Sequence, residues 1–250
     1  MDNNEKNLID KYLTESILKY TTPVIVGSPG ETLPANGSIS LIQIGDQKYG
    51  ITCAHVIREY EKRCALDPNT AFQIARQVIK PLDLLIDIND KADIATLNFK
   101  DCIFGYSIDN IGIGTSFYQT PSWPPADLEI GDRIGIAGFP GENKFEKNGK
   151  LWLATCSISA QPITDIDQHR IVIAFDRDTW YYTPGQIEKG VPRGLGGMSG
   201  GPAFLFHDLT TKGLLYAEFI GIVEKQMEMM DILCISRASQ IEYNGKIIAK

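Results

Sequence analysis

The sequence predicts an all-β chain, a barrel or a sandwich, with one amphipathic helix at its N-terminal end. Three observations predict it. From Thr21 onward, short apolar, β-branched runs alternate with Gly, Pro, Asn and Asp, the texture of many short strands parted by turns. No regular strand–helix alternation of the doubly wound kind accompanies them. Before Thr21, Leu8, Ile9, Tyr12, Leu13, Ile17 and Leu18 recur at i, i+3, i+4 spacing, so residues 5–19 are expected to form a helix whose stripe docks on the main body. A partner-binding or membrane-surface role is the sharper alternative for this helix, and its balanced flanking charge disfavours membranes.

The strand candidates follow in order: 23–27, 38–45, 48–57, 93–99, 132–139, 150–159, 169–175, 201–206, 213–224 and 231–237. A short helix is expected after His55, through VIREYEKR. Residues 101–127 carry Gly105, Gly112, Gly114, Pro121, Pro124 and Pro125 with little strand periodicity and form a connector. The chain therefore divides into a helical extension at 1–20, a first β part at 21–100, the connector at 101–127, and a second β part at 128–250. No repeat or low-complexity tract is visible.

Composition narrows the function classes. The chain has 250 residues, 43% of them hydrophobic, enough for a core and against overall disorder. Twenty-four Lys and Arg against 31 Asp and Glu give a net charge of -7, which argues against a general nucleic-acid binder. The cysteines are Cys53, Cys64, Cys102, Cys156 and Cys234, odd in number and without C-x-x-C spacing. They are expected to be free thiols in a reducing compartment rather than a zinc site or a disulfide framework. The N-terminus, MDNNEKNLIDKYLTESILKY, lacks the pattern of a signal peptide, and no run reaches the ~20 apolar residues of a membrane span. A cytoplasmic location is expected. No cofactor or metal is called for, and Gly27 to Thr32 lacks the lysine of a phosphate loop.

The chemistry gathers at Gly194-Leu195-Gly196-Gly197-Met198-Ser199-Gly200-Gly201-Pro202. Glycines there permit the positive φ angles that turn backbone N–H groups toward one point, and two such donors beside a serine make an oxyanion hole. Pro202 favours a strand after the loop. The serine needs a base. Of the three histidines, His55 sits at the end of an apolar strand, which holds it rigidly; His169 and His207 are expected on the surface. The base needs a carboxylate on its other nitrogen. Asp93 opens a buried-looking strand and is the best candidate, with Asp83, Asp87 and Asp90 as competitors. A thiol nucleophile at Cys53 is a weaker alternative, since Ser199 occupies the loop. GMSGG also satisfies G-x-S-x-G, but Pro202 and the absence of a well-placed later acid and histidine argue against an α/β-hydrolase elbow.

These segments together resemble a trypsin-like (chymotrypsin-fold) serine peptidase, of the bacterial, disulfide-free type. ITCAHV resembles the segment around that family's base, DIATL the one around its aspartate, and GMSGGP its nucleophile loop; their order matches, and the resemblance spans about residues 21–245. It implies two six-stranded Greek-key barrels with the site between them. It also implies hydrolysis of a polypeptide substrate, with Ser199 as nucleophile, His55 as general base and acid, Asp93 as its orienter, and the N–H groups of Gly197 and Ser199 as oxyanion hole. Glu224, Lys225 and Gln226 would pair with a bound peptide through their main chain. Arg193 would lie near the floor of the primary specificity pocket, where a cation favours an acidic side chain.

Departures from the family pattern are informative. Met198 stands where secreted trypsins hold the acid that pairs with a cleaved N-terminus, so Val24-Ile25-Val26-Gly27 is expected to be only a strand and no such zymogen switch is expected. Any regulation would then fall to a partner, a ligand or a loop rearrangement, with the N-terminal helix a candidate partner site. Glu224 replaces a small residue near the triad aspartate, and a like charge facing Asp93 would perturb it. Two functions stay open: an active serine endopeptidase, or a trypsin-like binding module with a latent site.

Overall fold

The computed structural model describes residues 15–32, 34–75, 77–102, 107–108, 113–147, 150–153, 155–174, 180–182, 194–209, 214–227 and 231–248. Of the expected N-terminal helix, residues 1–14 lie outside the described residues. Residues 15–18 are helical, and Ile17 and Leu18 are fully buried in the core of the first sheet.

Strand β1 (Thr21–Gly27) pairs antiparallel with β2 (Ala35–Ile44), which turns back at Gly45–Asp46 into β3 (Gln47–Thr52). Val24-Ile25-Val26-Gly27 is thus strand, flanked by β2 on one side and by β4 (Ala71–Ile74) on the other. Helix α1 (Ala54–Leu66) fills the step from β3 to β4. It is longer than the expected short turn because Val56 and Ile57 continue its buried face and Tyr60 packs edge-on against Phe72, ring centres 5.5 Å apart. It ends at Asp67, which the following Pro68 holds extended. Then come β5 (Gln77–Ile79), a one-turn helix at Pro81–Leu84, β6 (Leu85–Asn89) and β7 (Ile94–Asn98).

The expected connector contains strand after all. The two-residue strands β8 (Ser107–Ile108) and β9 (Ile113–Gly114) pair antiparallel, and β10 (Tyr118–Gln119) adds to β2 in parallel. Beyond it lie β11 (Arg133–Gly138), the ribbon β12 (Phe145–Lys147) and β13 (Lys150–Trp152), β14 (Cys156–Ile166), β15 (Arg170–Ala174), β16 (Trp180–Tyr182), β17 (Pro202–Leu209), β18 (Leu214–Met227) and β19 (Ile232–Arg237).

Two sheets carry one topology. In the second, β17-β11-β14-β15-β19-β18 run as a ring, since β11 pairs with β14 and β17 with β18. Counted by order along the chain, these six strands lie 4-1-2-3-6-5, and the Greek-key barrel is closed. The six main strands of the first sheet, β4-β1-β2-β3-β7-β6, lie in the same 4-1-2-3-6-5 order. That sheet is a half-barrel, since among the described residues no pairing joins β4 or β5 to β6, and with the closed barrel it fits the two-barrel fold expected. β5 takes the free edge of β4, and the turn opened by Pro81 carries the chain to β6 without a ladder.

Period-two burial explains both cores. Ile134 and Ile136, Ile171 and Ile173, and Leu233 and Ile235 point into the second barrel. On β2, Ile39 and Leu41 enter the first core, while Ser38 and Ser40, also fully buried, face the other way. Their hydroxyls donate to the carbonyls of Gly197 and Gly200, each at 2.8 Å, so the polar face of β2 is the seat for the serine loop. Tyr20, Tyr118, Phe204 and Phe219 form an aromatic cluster between the sheets, with ring centres 5.0 to 5.9 Å apart. The segment Ile241–Ile248 straps the first sheet: Tyr49 on β3 donates to Tyr243 O (2.8 Å), Thr96 on β7 to Gly245 O (2.6 Å), and Ile247 N–H to Asp87 on β6 (2.8 Å).

Candidate active site

His55 is the second residue of α1, so its N–H has no partner within the helix, and Cys53 at the N-cap supplies no side-chain bond. Asp93 fills both needs. Its Oδ1 accepts the His55 N–H at 3.0 Å, capping the helix from outside, while Oδ2 meets the ring Nδ1 at 2.7 Å. The aspartate is presented by a turn in which Asn89 Oδ1 accepts the N–H groups of Lys91 and Ala92, and its own φ of 51° lies in the left-handed region that Asp tolerates. Of the competitors, Asp90 is drawn outward by Arg58 (3.0 Å), Asp87 binds the strap, and Asp83 is exposed.

Burial works to raise the Asp93 pKa, but the hydrogen bonds and charge of His55 outweigh it and hold the carboxyl below its usual value. A carboxyl with a depressed folded pKa stabilises the fold fully above its unfolded pKa, near about pH 4, and that contribution is lost as pH falls through the folded value. Urea unfolding from about pH 6 to about pH 2 should therefore show a steeper acid loss in the wild type than in Asp93→Asn. Equal slopes would contradict the pairing.

Ser199 arrives from the second barrel. Gly200 N–H and the Cys53 thiol both donate to the carbonyl of Val223, at 2.9 and 3.2 Å, so one acceptor ties the serine loop to the end of β3. The N–H of Ser38 donates to Ser199 O at 2.9 Å. The Ser199 hydroxyl donates to Glu224 O at 3.1 Å, and among the described residues no hydrogen bond joins it to His55. Gly197, at φ 96°, and Ser199 have backbone N–H groups that donate to no protein acceptor among the described residues. The approach to them is shaped by Phe139 to Asn143: Gly141 N–H donates to Gly196 O (2.6 Å), Glu142 accepts the N–H of Gly194 (3.0 Å), and Asn36 holds Phe139 O (3.0 Å). The sequence reading missed Asn36 and Glu142, since neither lies in a motif.

Glu224 does not face solvent or lie open along a cleft. Its carboxylate, 4% exposed, takes a two-pronged ion pair from Arg170 on β15 (Nε to Oε2 2.6 Å, Nη2 to Oε1 3.0 Å), and Lys225 Nζ lies 3.2 Å away. Lys225 is otherwise exposed. Gln226 reaches back to the loop, its Oε1 accepting the N–H of Leu195 at 2.8 Å, while its buried Nε2 has no partner among the described residues. Arg193 lies outside the described residues. Met198 is completely buried in the second core beside Leu195, a place where a lone carboxylate would be costly.

The other two histidines are half-buried rather than superficial, each engaged locally: His169 with Gln240 (3.0 Å), His207 with Glu218 (2.8 Å). Among the described residues no disulfide joins any of the five cysteines. Cys53, His55 and Asp93 are the one group of metal-ligand types among the described residues with atoms mutually within 4.8 Å. Their donors are already used, however. Burial and the neighbouring Asp93 push the Cys53 thiol well up, which keeps it protonated and poor as a metal ligand.

Two sheets of like strand order, one a closed barrel, with His55 and Asp93 on the first and the Ser199 loop seated on it from the second, fit a trypsin-like serine peptidase fold. Neither a protein-family model nor a curated protein sequence matches the chain. Among solved structures it is similar to a serine endoprotease from Yersinia pestis, at 16% identity and a TM-score of 0.49 over 91% of this chain. The chain spans 62% of the length of that structure. It is also similar to the active form of a protease from M. tuberculosis, at 16% identity and a TM-score of 0.42, with 95% of this chain and 82% of that one covered. No helix among the described residues is long and apolar enough to cross a membrane.

Proposed function

We propose that this chain is a serine endopeptidase acting in a reducing compartment such as the cytoplasm. The observation that carries this reading is the double grip of Asp93 on His55, ring and main chain together, beside a loop that ends in Ser199. Asp93 fixes the proton on Nδ1 and leaves Nε2 as the base. On substrate binding the Ser199 hydroxyl leaves the Glu224 carbonyl and passes its proton to Nε2 as Oγ attacks the peptide carbonyl carbon. The N–H groups of Gly197 and Ser199 hold the oxyanion. His55 returns the proton to the departing amine, and water, activated by the same nitrogen, releases the acyl group and regenerates Ser199. The main chain of Glu224, Lys225 and Gln226 pairs with the peptide as an added strand.

One observation favours a second reading, a latent site: the Ser199 hydroxyl rests on Glu224 O and not on His55. Covalent labelling with a fluorophosphonate probe separates the two. The peptidase reading expects wild type to label and Ser199→Ala not to; equal labelling of both supports the latent module and removes the enzyme.

A further inference from the structure

The carboxylate of Glu224 is a buried charge that hydrolysis itself does not use, and it belongs to the residue whose carbonyl accepts the Ser199 hydroxyl. Glu224 is the extra residue of a bulge in β18: Val223 is opposite Ile235 and Lys225 opposite Cys234, with Glu224 left between. A bulge kinks its strand and re-aims the groups on it. Here it lets two successive carbonyls serve one loop, Val223 O taking Gly200 N–H and Glu224 O taking the Ser199 hydroxyl. The side chain secures the kink by its two-pronged bond to Arg170. Arg170 is in turn opposite Ser236 on β19, and its N–H is held by Asp167 at 2.7 Å. Ser236 Oγ, 3.5 Å from Oε2, donates to Ala92 O at 2.8 Å. Ala92 directly precedes Asp93. The ion pair thus reaches the serine through the carbonyl of Glu224, which accepts the Ser199 hydroxyl.

We propose that Arg170 and Glu224 are positioning residues: their ion pair fixes the bulge, and the bulge sets Ser199 against the His55–Asp93 pair across the two sheets. This rests on the peptidase reading. A side chain that only stabilised the barrel would alter melting and leave the reactivity of the folded protein alone. A positioning pair alters reactivity in protein that remains folded, because misplacement of reacting groups by about 1 Å costs on the order of 100-fold.

The test measures the second-order rate of Ser199 labelling by a tagged fluorophosphonate as a function of pH, which requires no knowledge of the natural substrate, alongside thermal melting. Arg170→Met is expected to lower the plateau rate by about 10- to 100-fold with the midpoint of the pH profile unmoved, and Arg170→Lys to recover part of it. Arg63→Met, which removes a comparable surface ion pair with Glu59 and Glu31, is expected to label at the wild-type rate. A folded Arg170→Met that labels within about twofold of wild type overturns the proposal, as does equal slowing in Arg63→Met. Should Arg170→Met not fold, Glu224→Gln, which keeps the shape and loses the charge, decides by the same rate. Wild type that labels no faster than Ser199→Ala removes the peptidase reading and this proposal together; a reactive wild type with an equally reactive Arg170→Met removes this one alone.

Discussion

Asp93→Asn is expected to leave a folded protein in which the peptide hydrolysis proposed above is slower by about 10,000-fold. The substitution keeps the shape and tolerates the same left-handed backbone, since Asn adopts a φ of 51° as readily as Asp. One oxygen must still accept the His55 N–H that caps α1, a bond of 3.0 Å in the wild type. The amide NH2 is then left facing Nδ1, where Oδ2 was. A donor there forces Nδ1 to accept, the ring proton moves to Nε2, and Nε2 can no longer take a proton from Ser199. Near neutral pH the variant should lose the stability that the ionised carboxylate contributes, while the surviving cap keeps it folded. A folded Asp93→Asn with activity within about tenfold of wild type would show that the histidine is not oriented by this carboxylate.

Gly200→Ala is expected to destabilise the protein by about 2–5 kcal/mol, combining the cost of a left-handed alanine with overpacking. Gly200 has φ 89°, and a Cβ there would overlap the Ser38 carbonyl oxygen and Thr52 Oγ1, with Thr52 Cα at 3.0 Å. None of the three is the free end of a flexible chain. Relief requires the serine loop to move off β2 and β3, which breaks the bonds from Gly200 N–H and Cys53 to the shared carbonyl of Val223. Labelling of Ser199 should fall along with the urea midpoint. An unchanged midpoint would mean that the loop is not seated as described.

The strands and three motif segments were legible in the sequence because each is specified locally. A run such as Arg133–Gly138 alternates sides within six residues, and the loop from Gly194 to Pro202 carries its glycines and serine in one stretch. What was not legible depends on distant partners. Arg170 is 54 residues from Glu224, and nothing near the arginine says that it will cross to a bulge; the most it offers is a cation at the head of an apolar strand. The bulge itself is one residue out of register between β18 and β19, which no periodicity reports. The open seam of the first sheet escaped notice for the same reason, since strand count is local and closure is not. Ser38 and Ser40 were inside a predicted strand, but their role as seats for the loop appears only when the second barrel lies against them.

The strap at Ile241–Ile248 has a consequence for the order in which the protein is made. The hydroxyls of Tyr49 and Thr96 and the carboxylate of Asp87 belong to strands synthesised early, yet their acceptors and donor lie at Tyr243, Gly245 and Ile247. A nascent chain that has only just completed β7 holds the sheet bearing His55 and Asp93 without these bonds, and the serine loop does not yet exist. The sheet bearing His55 and Asp93 thus takes its last tertiary bonds from residues that are made after the serine loop.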